Sequence, residues 1–254
     1  MELWTPQHTR TLLPALAVML LIGLILRLTM GGKSFKIRMI PIQVIAVILV
    51  LLEIGKQAVS FSRGYDLYHI PLHFCSLFIF AMPAMAFYRG KHQKQVFGVT
   101  AALCGSVFLL MLIYPNLIYG SWNIEGFFRD YLDFHTVAFH NLVMLAFVLI
   151  VALNLHTPGG KGENKAIVLF MLAFCTVSAT MAQILKTNFA NYYQCNIPPL
   201  EQVRLSLAGI IGAVPTQLLY ILIVSALNVG FVLGVYRLYC LLAKLLPVPQ
   251  KQEV

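Results

Sequence analysis

Charged side chains are scarce in this chain of 254 residues, and their scarcity excludes an ordinary soluble domain. Only 11% of the residues are Asp, Glu, Lys or Arg, whereas 59% are hydrophobic. A soluble domain of this length has no interior large enough for so many apolar side chains. The excess must contact lipid, so we predict an integral membrane protein.

The alternating polar and apolar residues of β-barrel strands are also missing. The apolar residues instead form continuous runs of about 20 residues that are rich in Leu and Ala. This is the length that a helix needs to cross a hydrocarbon core of about 30 Å. The pattern predicts an all-α, polytopic helical bundle that forms a single transmembrane domain over residues 1–254. We expect about seven transmembrane helices, at 12–28, 41–60, 70–88, 95–114, 134–155, 166–186 and 216–243.

The start of the last span is ambiguous in the sequence. Residues 205–214 are apolar, but the run stops at Pro215. A proline interrupts a helix unless it lies in the first turn. Residues 205–214 are therefore compatible with a first half of the last span, a re-entrant segment or an interfacial segment.

Lys and Arg are divided unequally between the two ends of the predicted bundle, with 12 at one end and 6 at the other. Basic residues are retained on the cytoplasmic side, so we expect an outside N-terminus and a cytoplasmic C-terminus in the plasma membrane. Basic loops beside anionic lipid headgroups explain the net charge of +9 without nucleic acid. Membrane phospholipids are the expected partners, and the oligomeric state is not specified. The larger basic group is Arg27, Lys33, Lys36, Arg38, Arg89, Lys91, Lys94, Lys161, Lys165, Arg237, Lys244 and Lys251.

Several ionisable side chains within the predicted spans share one depth. At about 1.5 Å per residue, Glu53 lies about 10 Å before the outer end of its helix, and His140 lies about 9 Å into its helix. His73 and Cys75 lie about 5–8 Å below the start of the third span. Such groups are costly in hydrocarbon and usually face a bundle interior or an aqueous cavity. We predict a cavity that faces the outer leaflet, with His135, Lys56, Asn188 and Gln217 nearer its mouth.

Cys75 is the candidate nucleophile of this cavity. On an ideal helix His73 would lie about 200° around the axis from Cys75, which is a poor position for a base. A general base from another helix is more suitable, and His140 and His135 are the available residues. Without such a base a buried cysteine is usually inert, because burial favours the neutral thiol.

The same residues allow other interpretations. Glu53 and Lys56 are spaced to form a structural ion pair, and His73 and His140 are suited to hydrogen bonds between helices. His73, His135, His140 and Glu53 include enough ligands for the zinc ion of a membrane hydrolase, although no H-E-x-x-H spacing is present. A binding or transport protein for lipids or small molecules would use the cavity without covalent chemistry. The main hypothesis requires no metal and no cofactor.

Four segments resemble one known family. They are PLHFCS at 71–76, HNLVM from His140, TNFANYY at 187–193, and the Pro-rich loop that leads to Gly212. In these segments the chain resembles the bacterial YwaF-like integral membrane proteins, which are related to the eukaryotic transmembrane protein 164 family. The H-x-C motif of His73 and Cys75 is the most specific part of the likeness.

The resemblance implies acyl transfer onto phospholipid, since the eukaryotic relatives are described as acyltransferases that use the cysteine of the H-x-C motif. It assigns Cys75 as the acyl-accepting nucleophile, with His140 or His135 as its base. Ala190 and Cys195 depart from the usual outer-loop pattern. The residues expected to support the site or bind substrate are His73, Glu53, Lys56, Asn188, Asn191 and Gln217.

Overall fold

The computed structural model describes residues 2–245, within which all regular secondary structure is helical. Six of the described helices are long and apolar enough to cross a membrane, and Phe74–Phe87 forms a shorter apolar segment. The predicted all-α polytopic bundle is therefore confirmed. Of the basic residues used to predict the orientation, Lys251 lies outside the described residues. The α-helices are α1 (Pro6–Met30), α2 (Phe35–Arg38), α3 (Ile40–Ser62), α4 (Phe78–Phe87), α5 (Gln93–Ile113), α6 (Pro115–Ile118), α7 (Ser121–Gly126), α8 (Tyr131–Ala152), α9 (Glu163–Leu185), α10 (Pro198–Ile211) and α11 (Ala213–Leu245).

Hydrogen bonds between the spans show which helix ends lie together. The indole of Trp4 donates to the carbonyl of Leu112 at 3.2 Å, so α1 begins beside the end of α5. The guanidinium of Arg38 donates to the carbonyl of Leu153 at 2.8 Å, so α3 begins near the end of α8. We call the first end, which holds Trp4, His73, Leu112 and His135, the histidine end, and the second, which holds Arg27, Arg38, Leu153 and Glu163, the basic end.

Helix α5 forms the centre of the bundle. Its most apolar window is 61% buried, compared with 17% for α1 and 11% for α11. Small residues allow this burial, because they let neighbouring helices approach closely. A Cβ on Gly105 would lie only 3.0 Å from the ring of Phe147 on α8, and Thr100 donates to the carbonyl of Ala81 on α4 at 3.1 Å. Helices α1 and α11 remain at the periphery, where their Leu-rich faces meet lipid.

The third span differs from its prediction as a regular helix. Ile70 has φ −57° and ψ 133°, because contact with the ring of Pro71 disfavours the helical region for the preceding residue. His73 is also extended, with φ −84° and ψ 159°. Helical conformation begins only at Phe74, as a 3-10 turn that continues into α4. Cys75 therefore lies in the first turn of the apolar segment, and the predicted helical relation between His73 and Cys75 does not exist.

The apolar residues before the last span belong to a separate helix, α10. That helix ends at Gly212, whose φ of 92° lies in the left-handed region that favours glycine. Arg204 on α10 donates to Gln217 at 2.8 Å, and its guanidinium lies 5.6 Å from the ring centroid of Tyr220. Helix α10 thus folds back along α11. Residues 205–214 are therefore not the first half of the last span. Its position fits the re-entrant or interfacial alternatives.

Candidate functional site

Glu53 is the centre of a buried polar cluster at the histidine end. Its residue exposure is 7%. One carboxylate oxygen accepts from Lys56 at 2.8 Å and from Gln57 at 2.7 Å, which the spacing of one helical turn allows. The other oxygen lies 3.4 Å from Nε2 of His135. The carboxylate therefore links α3 to α8.

His135 retains unused hydrogen-bonding capacity within this cluster. Its 3.4 Å contact with Glu53 is an ion-pair distance, but Nε2 makes no hydrogen bond to residues 2–245. The ring packs against Phe139 with its centroid at 5.2 Å. A carboxylate and an aromatic ring thus contact this buried imidazole from two sides.

The segment before Cys75 is fastened to the end of α3. The side chain of Gln57 donates to the carbonyl of His69 at 2.8 Å and accepts from the hydroxyl of Tyr65 at 2.7 Å. Nδ1 of His69 lies 2.6 Å from the hydroxyl of Ser60. These contacts fix the path of residues 65–69 and hence the start of the third span.

His73 faces aromatic rings. Its Nε2 lies 2.9 Å from the carbonyl of Tyr68 and must donate, because a carbonyl oxygen only accepts. The ring centroid lies 4.3 Å from that of Tyr68 and 5.6 Å from that of Phe189. The hydrogen bond of His73 is thus directed to the preceding turn.

Cys75 is half-buried beside the Glu53 cluster. Its thiol lies within electrostatic range of Lys56, Glu53 and Tyr68. Within residues 2–245 no hydrogen bond joins Cys75 to a histidine. Glu53 is thus a shared neighbour of Cys75 and His135, and the described part of the chain contains no direct thiol–imidazole hydrogen bond of the kind expected from the sequence.

The hydrogen bond of His140 is directed to its own helix. Its Nδ1 donates to the carbonyl of Thr136 at 2.6 Å, one turn earlier in α8. The ring lies among aromatic side chains, with centroids 6.3 Å from Tyr119 and 6.0 Å from Phe139. In the described structure, no hydrogen bond links His140 to Cys75.

Asn188 organises the loop after α9. Its side-chain oxygen accepts from the amides of Tyr193 and Gln194, each at 3.1 Å. Its amide nitrogen donates to Asn196 at 2.9 Å. The oxygen and the nitrogen of the Asn188 amide are thus both hydrogen-bonded within the loop, so this side chain stabilises the loop conformation.

Gln217 and Asn191 join the same loop to α11. Gln217 donates to the carbonyl of Tyr192 at 2.9 Å, and the hydroxyl of Tyr220 donates to the carbonyl of Asn191 at 2.6 Å. The side chain of Tyr192 is fully buried, with its hydroxyl 3.1 Å from that of Ser225. The loop reaches the site through Phe189, which packs on His73 as described above.

A second buried polar cluster, not predicted from the sequence, lies at the basic end. Glu163 is 1% exposed, lies 3.2 Å from Nε2 of His156, and accepts from the hydroxyl of Tyr236. Nδ1 of His156 is buried without a hydrogen bond to any described residue. The sequence contained one indication of this cluster. Among the described residues, Glu163 is the only acid at the basic end.

Residues 3–245 match the TMEM164 family. The chain belongs to this family. No curated protein and no solved structure matches it. The match confirms the predicted resemblance to the transmembrane protein 164 family. Every residue of the histidine-end cluster lies within the matched residues.

The zinc hypothesis gains no support from the geometry of this TMEM164 family protein. Within residues 2–245 no group of three or more His, Cys, Asp or Glu side chains is arranged to hold a metal ion. Two open grooves are present, one of about 450 Å³ on α10 and one of about 290 Å³ between α1 and its neighbours. Neither groove is lined by Cys75 or His135, so the expected cavity does not coincide with them.

Proposed function

We propose that this TMEM164 family protein transfers acyl groups between membrane phospholipids through a thioester on Cys75. The observation that carries the proposal is the position of Cys75 in the first turn of a helical segment, beside the Lys56–Glu53 pair. Burial and the carboxylate of Glu53 oppose a thiolate at this position, whereas the nearby cation of Lys56 and the helix N-terminus favour it. The H-x-C motif that Cys75 forms with His73 adds the resemblance to cysteine acyltransferases.

His135 is the better candidate for the general base. It contacts Glu53, and Glu53 in turn interacts with Cys75. A base that is oriented by a carboxylate is the usual arrangement for activating a nucleophile. His140 instead directs Nδ1 into its own helix. Of the two alternatives expected from the sequence, the geometry favours His135.

The reaction proceeds in two balanced steps. The imidazole of His135 takes the thiol proton, and the sulfur attacks the ester carbonyl of a donor phospholipid. The lysophospholipid alkoxide leaves with the proton from His135, and a thioester remains on Cys75. A hydroxyl of an acceptor lipid then attacks the thioester and gives its proton to His135, which returns it to the departing thiolate. The amides of Phe74 and Cys75, at the start of this turn, are suited to hold the oxyanion, whereas the amide of Ser76 donates to the carbonyl of His73 at 3.0 Å.

A lipid-exchange assay with matched cysteine variants tests the proposal. Purified protein in vesicles receives a phospholipid with an isotope-labelled acyl chain and an unlabelled lysophospholipid, and lipid mass spectrometry follows transfer. We expect Cys75→Ala to abolish transfer and Cys195→Ala, another half-buried cysteine at the same end, to preserve it. His135→Ala should lower the rate by about 100-fold or more, and more than His140→Ala does.

Two outcomes would refute the proposed acyltransferase activity. One is unchanged transfer by a folded Cys75→Ala variant. The other is lipid binding or flux that survives this substitution while wild-type protein forms no transferred product, which would favour the binding or transport alternative.

The excess of Lys and Arg at the basic end supports a cytoplasmic position for that end. On this ground, and on the likeness to YwaF-like proteins, we place the chain in the bacterial plasma membrane with its N-terminus outside. A fluorescent protein fused after residue 254 should then fluoresce, and alkaline phosphatase at the same point should be inactive. The reverse pattern would refute the orientation.

A further inference from the structure

A narrow apolar groove runs along the surface of the bundle between α1, α5 and α8. Its volume is about 290 Å³. Gly23 lies in the groove, where an added Cβ would approach Val148 to 2.7 Å, and Ala152 lies beside it. Leu20 and Phe108 contribute apolar surface, and Arg27 is the only charged residue of the lining. The groove therefore combines an apolar trough with one cation.

The groove lies where an acyl chain would fill it. All three helices that form it are candidate membrane spans, so its apolar surface faces hydrocarbon. From Leu20 to Arg27 the groove follows α1 for about 10 Å, at about 1.5 Å per residue. An apolar trough of this length accommodates the upper part of one lipid chain and places Arg27 toward the headgroups.

The charge around Arg27 favours an anionic headgroup. Its side chain is exposed, and the ion pairs of residues 2–245 all involve other side chains. Glu163, the one acidic residue of the described basic end, is buried and already contacts His156. No described acid therefore competes with a lipid phosphate for Arg27.

We propose that this groove binds one anionic phospholipid, with an acyl chain along the surface formed by Leu20, Phe108 and Val151 and the phosphate against Arg27. The site lies at the basic end, whereas Cys75 lies at the histidine end. Lipid bound here is accordingly distinct from the acyl donor, and the proposal does not depend on catalysis.

Lipid retention by the full-length protein tests the site. Purified, delipidated protein is titrated with phosphatidylglycerol or phosphatidylcholine, and native mass spectrometry counts the lipids retained. Wild-type protein should retain phosphatidylglycerol about fivefold better, the factor expected for one basic residue beside an anionic lipid. Arg27→Gln should remove this preference, whereas Arg27→Lys and the control Lys33→Gln should keep it.

A second variant tests the apolar part of the groove. Ala152→Leu should lower the retention of both lipids by one tightly held molecule, with helicity by circular dichroism unchanged. Equal retention of the two lipids by wild-type protein, or the same loss in Arg27→Gln and Lys33→Gln, would overturn the proposal. If Ala152→Leu disturbs the helicity, the comparison of the Arg27 and Lys33 variants decides alone.

Discussion

Replacing Glu53 by Gln should destabilise the protein far more than the same change at Glu201. Both acids form ion pairs with a cation three residues later, Lys56 and Arg204, and both pairs lie at the histidine end. The side chains of the first pair are 9% and 14% exposed, compared with 21% and 18% for the second. The two substitutions therefore differ in the burial and the partners of the acid, whereas the spacing between acid and cation along the helix is the same.

The magnitude follows from what each substitution leaves behind. Glu53→Gln keeps the volume but removes the charge that faces Lys56 and His135, so a nearly buried cation loses its counter-ion. Breaking such a pair costs about 3 kcal/mol of unfolding free energy. The pair at Glu201 is more accessible to solvent, and its loss should cost about 1 kcal/mol or less.

Reversible unfolding in mixed micelles of a mild detergent and dodecyl sulfate measures both changes. The double variant Glu53→Gln with Lys56→Met should regain much of the loss, because no unpaired charge remains. Equal effects of the substitutions at Glu53 and Glu201, or a double variant as unstable as Glu53→Gln alone, would refute the reasoning.

A further prediction concerns packing. Gly98→Ala should cost about 1–3 kcal/mol, because its Cβ would lie 2.9 Å from Cγ of the buried Glu163, whereas Gly234→Ala, with nothing within 4 Å, should be neutral or stabilising in the same unfolding assay.

The spans were predictable because hydrocarbon thickness sets their length. The predicted 95–114 and 166–186 differ by a few residues from Gln93–Ile113 and Glu163–Leu185. The first helix begins earlier than predicted, at Pro6. Its polar first turn is held by Thr5, whose side chain accepts from the amide of His8. Capping of this kind extends a helix beyond its apolar run.

Sequence position predicts a depth for each polar side chain of the site, but it does not predict the contacts of these side chains. Counting 1.5 Å per residue placed Glu53, Cys75 and His140 at one level. Depth does not determine how a helix is rotated about its axis, and His140 turns out to bond within α8 while His135 reaches Glu53. The break before Phe74 depended on the local conformation imposed by Pro71, which apolar periodicity does not report.

Peptide mass spectrometry of the acylated protein tests the central claim most directly. Wild-type protein is incubated with phosphatidylcholine that carries a labelled acyl chain, quenched with acid, and digested. The account predicts a labelled, hydroxylamine-sensitive thioester on the peptide that contains Cys75, less of it in His135→Ala, and none in Cys75→Ala. A labelled thioester on another cysteine, or active transfer without any thioester, would contradict it.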